Sequence, residues 1–132
     1  MREYQLRPIK FLWQLLNRTI SEAKVYILGY RSYTALLNQG GTGDPVPTIL
    51  DNTLGNIVWT RDGVGEYTGT LTGAFGDGSK LFMPYVLIYT VSDRVAVAAY
   101  DSPDTVILSR FDSGLPVDGF LINTQIEIRV YN

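Results

Sequence analysis

From Tyr30 to Phe75, short apolar and aromatic runs alternate with clusters of Gly, Pro, Asp and Asn. A chain interrupted this often cannot sustain long helices. It reads instead as short strands joined by tight turns. The pattern continues beyond Phe75. Strands are expected at 31–37, 48–50, 57–60, 65–72, 81–91, 94–100, 105–111 and 121–131. About eight strands at this spacing predict an all-β fold, an antiparallel β-sandwich of jelly-roll-like kind. The 132 residues suffice for one such domain with a real core. Hydrophobic residues at 45% and charged residues at 18% give a globular composition.

Particular positions sharpen this reading. In 121–131, Ile126, Ile128 and Val130 alternate with Gln125, Glu127 and Arg129, so one side faces a core and the other water. Ile57 and Trp59 fall on one face of their strand, Val58 and Thr60 on the other. Asp62-Gly63 predicts a hairpin turn, with Trp59 and Tyr67 paired across it. Pro84 interrupts 81–91 and predicts an edge position or a bulge. The Ala-rich run within 94–100 permits close approach of a second sheet or another subunit.

Residues 1–24 differ from the rest and predict an arm ahead of a body spanning 25–132. Ile9, Leu12, Trp13, Leu16 and Ile20 recur at helical spacing, and Phe11 and Leu15 widen the stripe. The spacing predicts a short amphipathic helix near 8–19, with Pro8 in its first turn. Such a helix packs on its own domain, docks on another chain or, less well served with Lys10 and Arg18 alone as cations on its polar side, lies on a membrane surface. For the second role Ile9, Phe11, Leu12, Trp13, Leu16 and Ile20 are the candidate anchor residues, since buried aromatics dominate interface energetics. Val25–Leu28 is expected as a first strand or a linker.

Composition excludes several function classes. The chain has no Cys and no His, which removes disulfides, thiol nucleophiles, the usual general base and the commonest metal ligand. No enzymatic activity and no cofactor are expected. Net charge is −2, from 11 basic and 13 acidic residues, and the Arg residues are scattered singly. Nucleic-acid binding draws on clustered cations and is not expected. No apolar run approaches the ~20 residues needed to span a bilayer, and Gln14, Asn17 and Arg18 break the N-terminal stretch before it reads as a signal peptide.

The polar residues leave alternatives open. Asp residues sit mostly in turns, where the side chain bonds its own backbone. Asp101 and Asp104 are nonetheless candidates to share a calcium ion. Glu66 and Glu127 are the candidates for a glycosidase acid pair, both on expected solvent faces. Tyr30, Tyr33, Tyr85 and Tyr100 are candidates for a sugar-binding platform. The Gly-Gly-x-Gly of residues 40–43 fails the spacing of phosphate loops, and no Lys follows it.

One further pattern runs through the body. It comprises Tyr33, Ala35, Leu36, Leu37, Gln39, Gly41, Thr42 and Pro45, then Leu50, Asn52, Thr53, Leu54 and Gly55. It continues through Gly63, Gly65, Tyr67, Thr70 and Leu71, and ends in Asn123, Thr124 and the run Ile126–Tyr131. Across residues 30–131 this resembles small virion-associated β domains encoded by phages and prophages of Bacteroidetes-type bacteria. The resemblance implies a structural component of a phage particle: a capsid decoration protein, a fibre or a tail piece. It implies other virion proteins as partners, a homo-oligomer such as a trimer or ring, and location in a virion assembled in the bacterial host cytoplasm. The alternative expectation is a carbohydrate-binding or adhesin module that contacts a surface glycan on the host.

Overall fold

The computed structural model describes residues 19–84, 86–87, 94–119 and 121–132. A nine-residue helix, α1 (Ile20–Leu28), leads into β1 (Tyr30–Asn38), β2 (Val46–Asn52), β3 (Val58–Gly63) and β4 (Glu66–Thr70). Two short strands follow, β5 (Leu81–Phe82) and β6 (Val86–Leu87). Then come β7 (Arg94–Ser102), β8 (Thr105–Asp112), β9 (Leu115–Pro116) and β10 (Thr124–Tyr131). All described pairings are antiparallel. They form one sheet in the order β2-β1-β10-β5 and a second in the order β3-β4-β8-β7-β6, with β9 pairing β8. The expected all-β, two-sheet sandwich is therefore the architecture.

The core follows the period-2 alternation. Tyr33, Ala35 and Leu37 of β1 and Ile126, Ile128 and Val130 of β10 are buried from one sheet. Trp59, Tyr67, Ala96, Val106 and Leu108 are buried from the other. The two inner faces meet in a single apolar cluster, closed at its ends by Leu54, Ile57, Phe75 and Leu121. Burial of this kind contributes roughly 1.5–3 kcal/mol for each large side chain.

Four local expectations change. First, Val25–Leu28 is helical, not strand or linker. Second, the β3–β4 turn falls on Val64-Gly65 and not on Asp62-Gly63, which lie inside β3 beside a register shift. Trp59 consequently pairs with Gly69, while Tyr67 pairs with Arg61. The indole lies against Gly69, where an added Cβ would stand 2.9 Å from Trp59 Cη2. Third, 81–91 is not one strand. Leu81–Phe82 pairs with β10 in the first sheet, and Val86–Leu87 pairs with β7 in the second. The chain changes sheets around Pro84, which offers no N–H to either ladder, and β5 and β6 both end up at sheet edges. Fourth, β10 begins at Thr124 because Asn123 takes φ 45°, with its N–H held by Asn38 Oδ1 at 2.8 Å.

Candidate assembly interface

The helix α1 starts and stops on recognisable chemistry. Thr19 Oγ1 accepts from Glu22 N at 3.2 Å, and Glu22 Oε2 accepts from Thr19 N at 3.1 Å. This reciprocal pair is a capping box, which satisfies two of the donors a helix start leaves open. At the other end Gly29 takes φ 75° and donates to Val25 O at 2.9 Å. A left-handed residue at that position favours glycine. The chain then enters β1 directly.

Little of α1 is covered. Among its described side chains Ala23 and Val25 are half-buried, while Ile20 is 81%, Ile27 62% and Leu28 49% exposed. A helix this short is marginal alone and draws its stability from packing an apolar face. Ile20, Lys24, Ile27 and Leu28 share one face, being three or four residues apart. From that face Lys24 Nζ reaches Asp51 Oδ1 of β2 at 2.7 Å. Both partners are largely exposed, so the bridge contributes little energy. It does fix where the face points: toward the end of β2.

β2 has exposed apolar side chains of its own, Ile49 and Leu50 near Asp51 and Val46 at the far end of the strand. Val46 is 65%, Leu50 59% and Ile49 44% exposed. β2 is also a sheet edge, with backbone donors and acceptors unpaired on its outer side. The remaining described edges are short or interrupted as well: β5 and β6 are two residues long, and β3 carries a register shift beside Arg61 and Asp62, as β2 itself does around Leu50, with Pro47 offering no N–H. Of the six anchor residues singled out in the sequence, Ile20 lies on this surface. Ile9, Phe11, Leu12, Trp13 and Leu16 lie outside the described residues, as does the expected 8–19 helix up to Thr19. Ile27, Leu28 and the β2 residues were missed. Thr19-x-x-Glu22 and Gly29 could have located the helix, but exposure of one edge strand is not written locally.

The polar residues serve the scaffold. Arg61 grips Asp118 through Nε at 3.1 and 3.2 Å and Nη2 at 2.7 Å, and Gly65 N donates to Asp118 Oδ1 at 3.0 Å. Arg61, together with that N–H, lowers Asp118 to about 2. Tyr67 donates to Gln39 Oε1 at 2.5 Å; burial first, then the Asp118 charge, pushes its hydroxyl up to about 12. These contacts tie the β3–β4 turn to the loops on either side. Arg110 is 1% exposed, and among the described residues its Nε and Nη1 have no hydrogen-bond partner. Burial lowers its pKa.

The remaining candidates do not converge. Tyr33 is not a platform residue: it is fully buried, and its hydroxyl accepts from Trp59 Nε1 at 3.2 Å. Tyr100 donates to Gly76 O at 3.0 Å, Tyr30 stacks on Tyr131 at 5.1 Å, and Tyr85 lies outside the described residues. Glu66 and Glu127 occupy outer faces of opposite sheets, too far apart for an acid pair across one groove. Glu127 is held by Arg129 Nε at 2.5 Å, within its own strand and not from a neighbouring one. Asp101 accepts from Thr105 Oγ1 at 2.7 Å and Asp104 from Gly73 N at 2.6 Å. Among the described residues no three metal-ligating side chains come together, and no helix is long and apolar enough to cross a membrane.

Comparison with protein families, with curated proteins and with solved structures finds no match to this chain.

Proposed function

We propose that this chain is a structural protein of a phage particle, a decoration, fibre or tail component, held in place by protein–protein contacts. The single observation that carries the reading is the uncovered apolar surface formed by α1 and the β2 edge. Scattered exposed apolar residues are ordinary, but a helix face and an adjoining edge strand exposed together mark a surface that another chain covers. The motif resemblance across residues 30–131 supplies the particle context. The absence of His and Cys from the sequence agrees with a structural role.

In this reading residues 1–28 and β2 dock on a neighbouring subunit, and the sandwich is the body presented by the particle. The buried apolar area supplies the affinity, and the edge hydrogen bonds set the register. Deleting residues 1–28 tests it. The truncated chain is expected to keep the near-ultraviolet dichroism of its packed aromatics and to stop co-sedimenting with particles. A truncated chain that still enters particles overturns the reading.

A further inference from the structure

The outer face of the second sheet is built unlike an ordinary wet surface. On β3, β4, β8 and β7 the buried residues Trp59, Tyr67, Val106, Leu108 and Ala96 point into the core. Their alternate neighbours therefore point outward. Six of these are apolar: Val58, Val95, Val97, Ala99, Ile107 and Phe111. Val58 is 54% and Ile107 36% exposed, and the other four are half-buried. The remaining outward positions are Thr or Ser, apart from Asp62 and Glu66 at one end and Asp101 at the other. A solvated sheet face carries polar and charged side chains throughout. A centre without charge, rimmed by charge, is the pattern of a face that another chain covers.

α1 offers a matching surface. Its side chains Ile20, Ile27 and Leu28 are exposed, and an apolar helix stripe laid on a sheet is one of the few stable layer arrangements. Four strands of about five residues span roughly 15–20 Å in each direction. A helix of nine residues is about 13.5 Å long, so it fits within that face. The two surfaces cannot meet within one chain. α1 runs into β1 and reaches Asp51, which pairs with Thr34, the outward neighbour of buried Tyr33 and Ala35. The helix thus lies outside the first sheet, and the core separates it from the outside of the second. Charge divides in the same sense. Residues 1–28 carry five Lys or Arg against two Glu, whereas residues 29–132 carry six Lys or Arg against eleven Asp or Glu. This favours the N-terminal part of one copy on the body of the next over two N-terminal parts meeting.

We infer that the outer face of the second sheet is where α1 of a second copy of this chain docks. The inference rests on the reading of α1 as a docking helix and names the surface that receives it. Each copy gives one helix and receives another, so the contact is heterologous. Contacts of this kind close into a ring when the rotation between copies permits. The acidic rim of Asp62, Glu66 and Asp101 supplies the charge opposite to the incoming segment.

Cross-linking tests this directly, because the native chain has no Cys. Leu28→Cys and Val97→Cys chains are prepared separately, mixed, and treated with a short flexible bismaleimide. The mixture is expected to give severalfold more linked dimer than either variant alone. In light scattering, the double variant Val97→Lys, Ile107→Lys is expected to fall to the monomer mass of 14.7 kDa while keeping its near-ultraviolet dichroism. Leu28→Cys linking to itself as readily as to Val97→Cys overturns the inference, since helix would then meet helix. So does a folded double-Lys variant with the mass of the native oligomer. If that variant stays oligomeric while Ile20→Ser, Ile27→Ser, Leu28→Ser abolishes the oligomer, α1 docks elsewhere, and the particle reading stands without this inference.

Discussion

Arg110 is the residue most out of place by ordinary rules. It occupies the inward-facing position that follows Val106 and Leu108 on β8, directly opposite Ala96. A guanidinium buried without full hydrogen bonding costs several kcal/mol. Arg110→Met keeps the length and removes the charge, so we expect stability to rise by about 1–3 kcal/mol in urea denaturation. A large loss would mean that the charge has a stabilising partner. Asp118 behaves in the opposite way. Its folded pKa, about 2, lies below the ordinary 3.8, so the unfolded chain binds more protons between those values. Its contribution is fully present above about pH 4 and is lost as pH falls toward 2. Asp118→Asn is expected to lower the urea midpoint near neutral pH, by on the order of 1–3 kcal/mol, and the gap to the native chain should close as the solution is acidified. A gap of constant size from pH 6 to pH 2.5 would show that the Asp118 charge is not what stabilises. Neither residue's role was legible in the sequence. The alternation around Arg110 was visible, but nothing local says that an Arg will follow its strand into the core.

At the scale of elements, strands marked by strict alternation were legible: β1, β4, β8 and β10 lie close to where the apolar period places them. Turn position was not. Asp62-Gly63 is a stronger local hairpin signal than Val64-Gly65, yet the chain turns at the latter. The register is set at a distance, by the Trp59 ring seated on Gly69 and by Asp118 holding the Gly65 N–H. Gly65 itself takes φ 68°, and a Cβ there would stand 2.5 Å from Arg110 O. The hairpin therefore depends on Gly69 leaving room for the indole. Gly69→Ala places a methyl 2.9 Å from both Ile57 Cγ2 and Trp59 Cη2, two buried side chains with little freedom to move. A loss of about 1–3 kcal/mol is expected, read from the urea midpoint. An unchanged midpoint would mean that the Trp59–Gly69 contact does not fix the register.

For the whole molecule, the two-sheet sandwich could be read from turn spacing, because a chain with this many short apolar strands must close two faces on each other. The change of sheets near Pro84 could not, since continuous apolar sequence from Leu81 gives no sign of which sheet each half joins. Of the N-terminal apolar stripe only Ile20 lies within the described residues, and the exposed face that Ile20, Ile27 and Leu28 form was not legible, because its direction toward β2 is given only by the meeting of Lys24 and Asp51.

The central claim is that α1 and the β2 edge form a surface covered by another chain. Light scattering coupled to size-exclusion chromatography addresses it, comparing the full chain with the triple variant Ile20→Ser, Ile27→Ser, Leu28→Ser. All three side chains are exposed in the single chain, so the variant keeps its sandwich. We expect the full chain to elute as a discrete oligomer and the variant as a monomer of about 14.7 kDa. A monomeric full chain at tens of micromolar, or a variant with undiminished mass, contradicts the account.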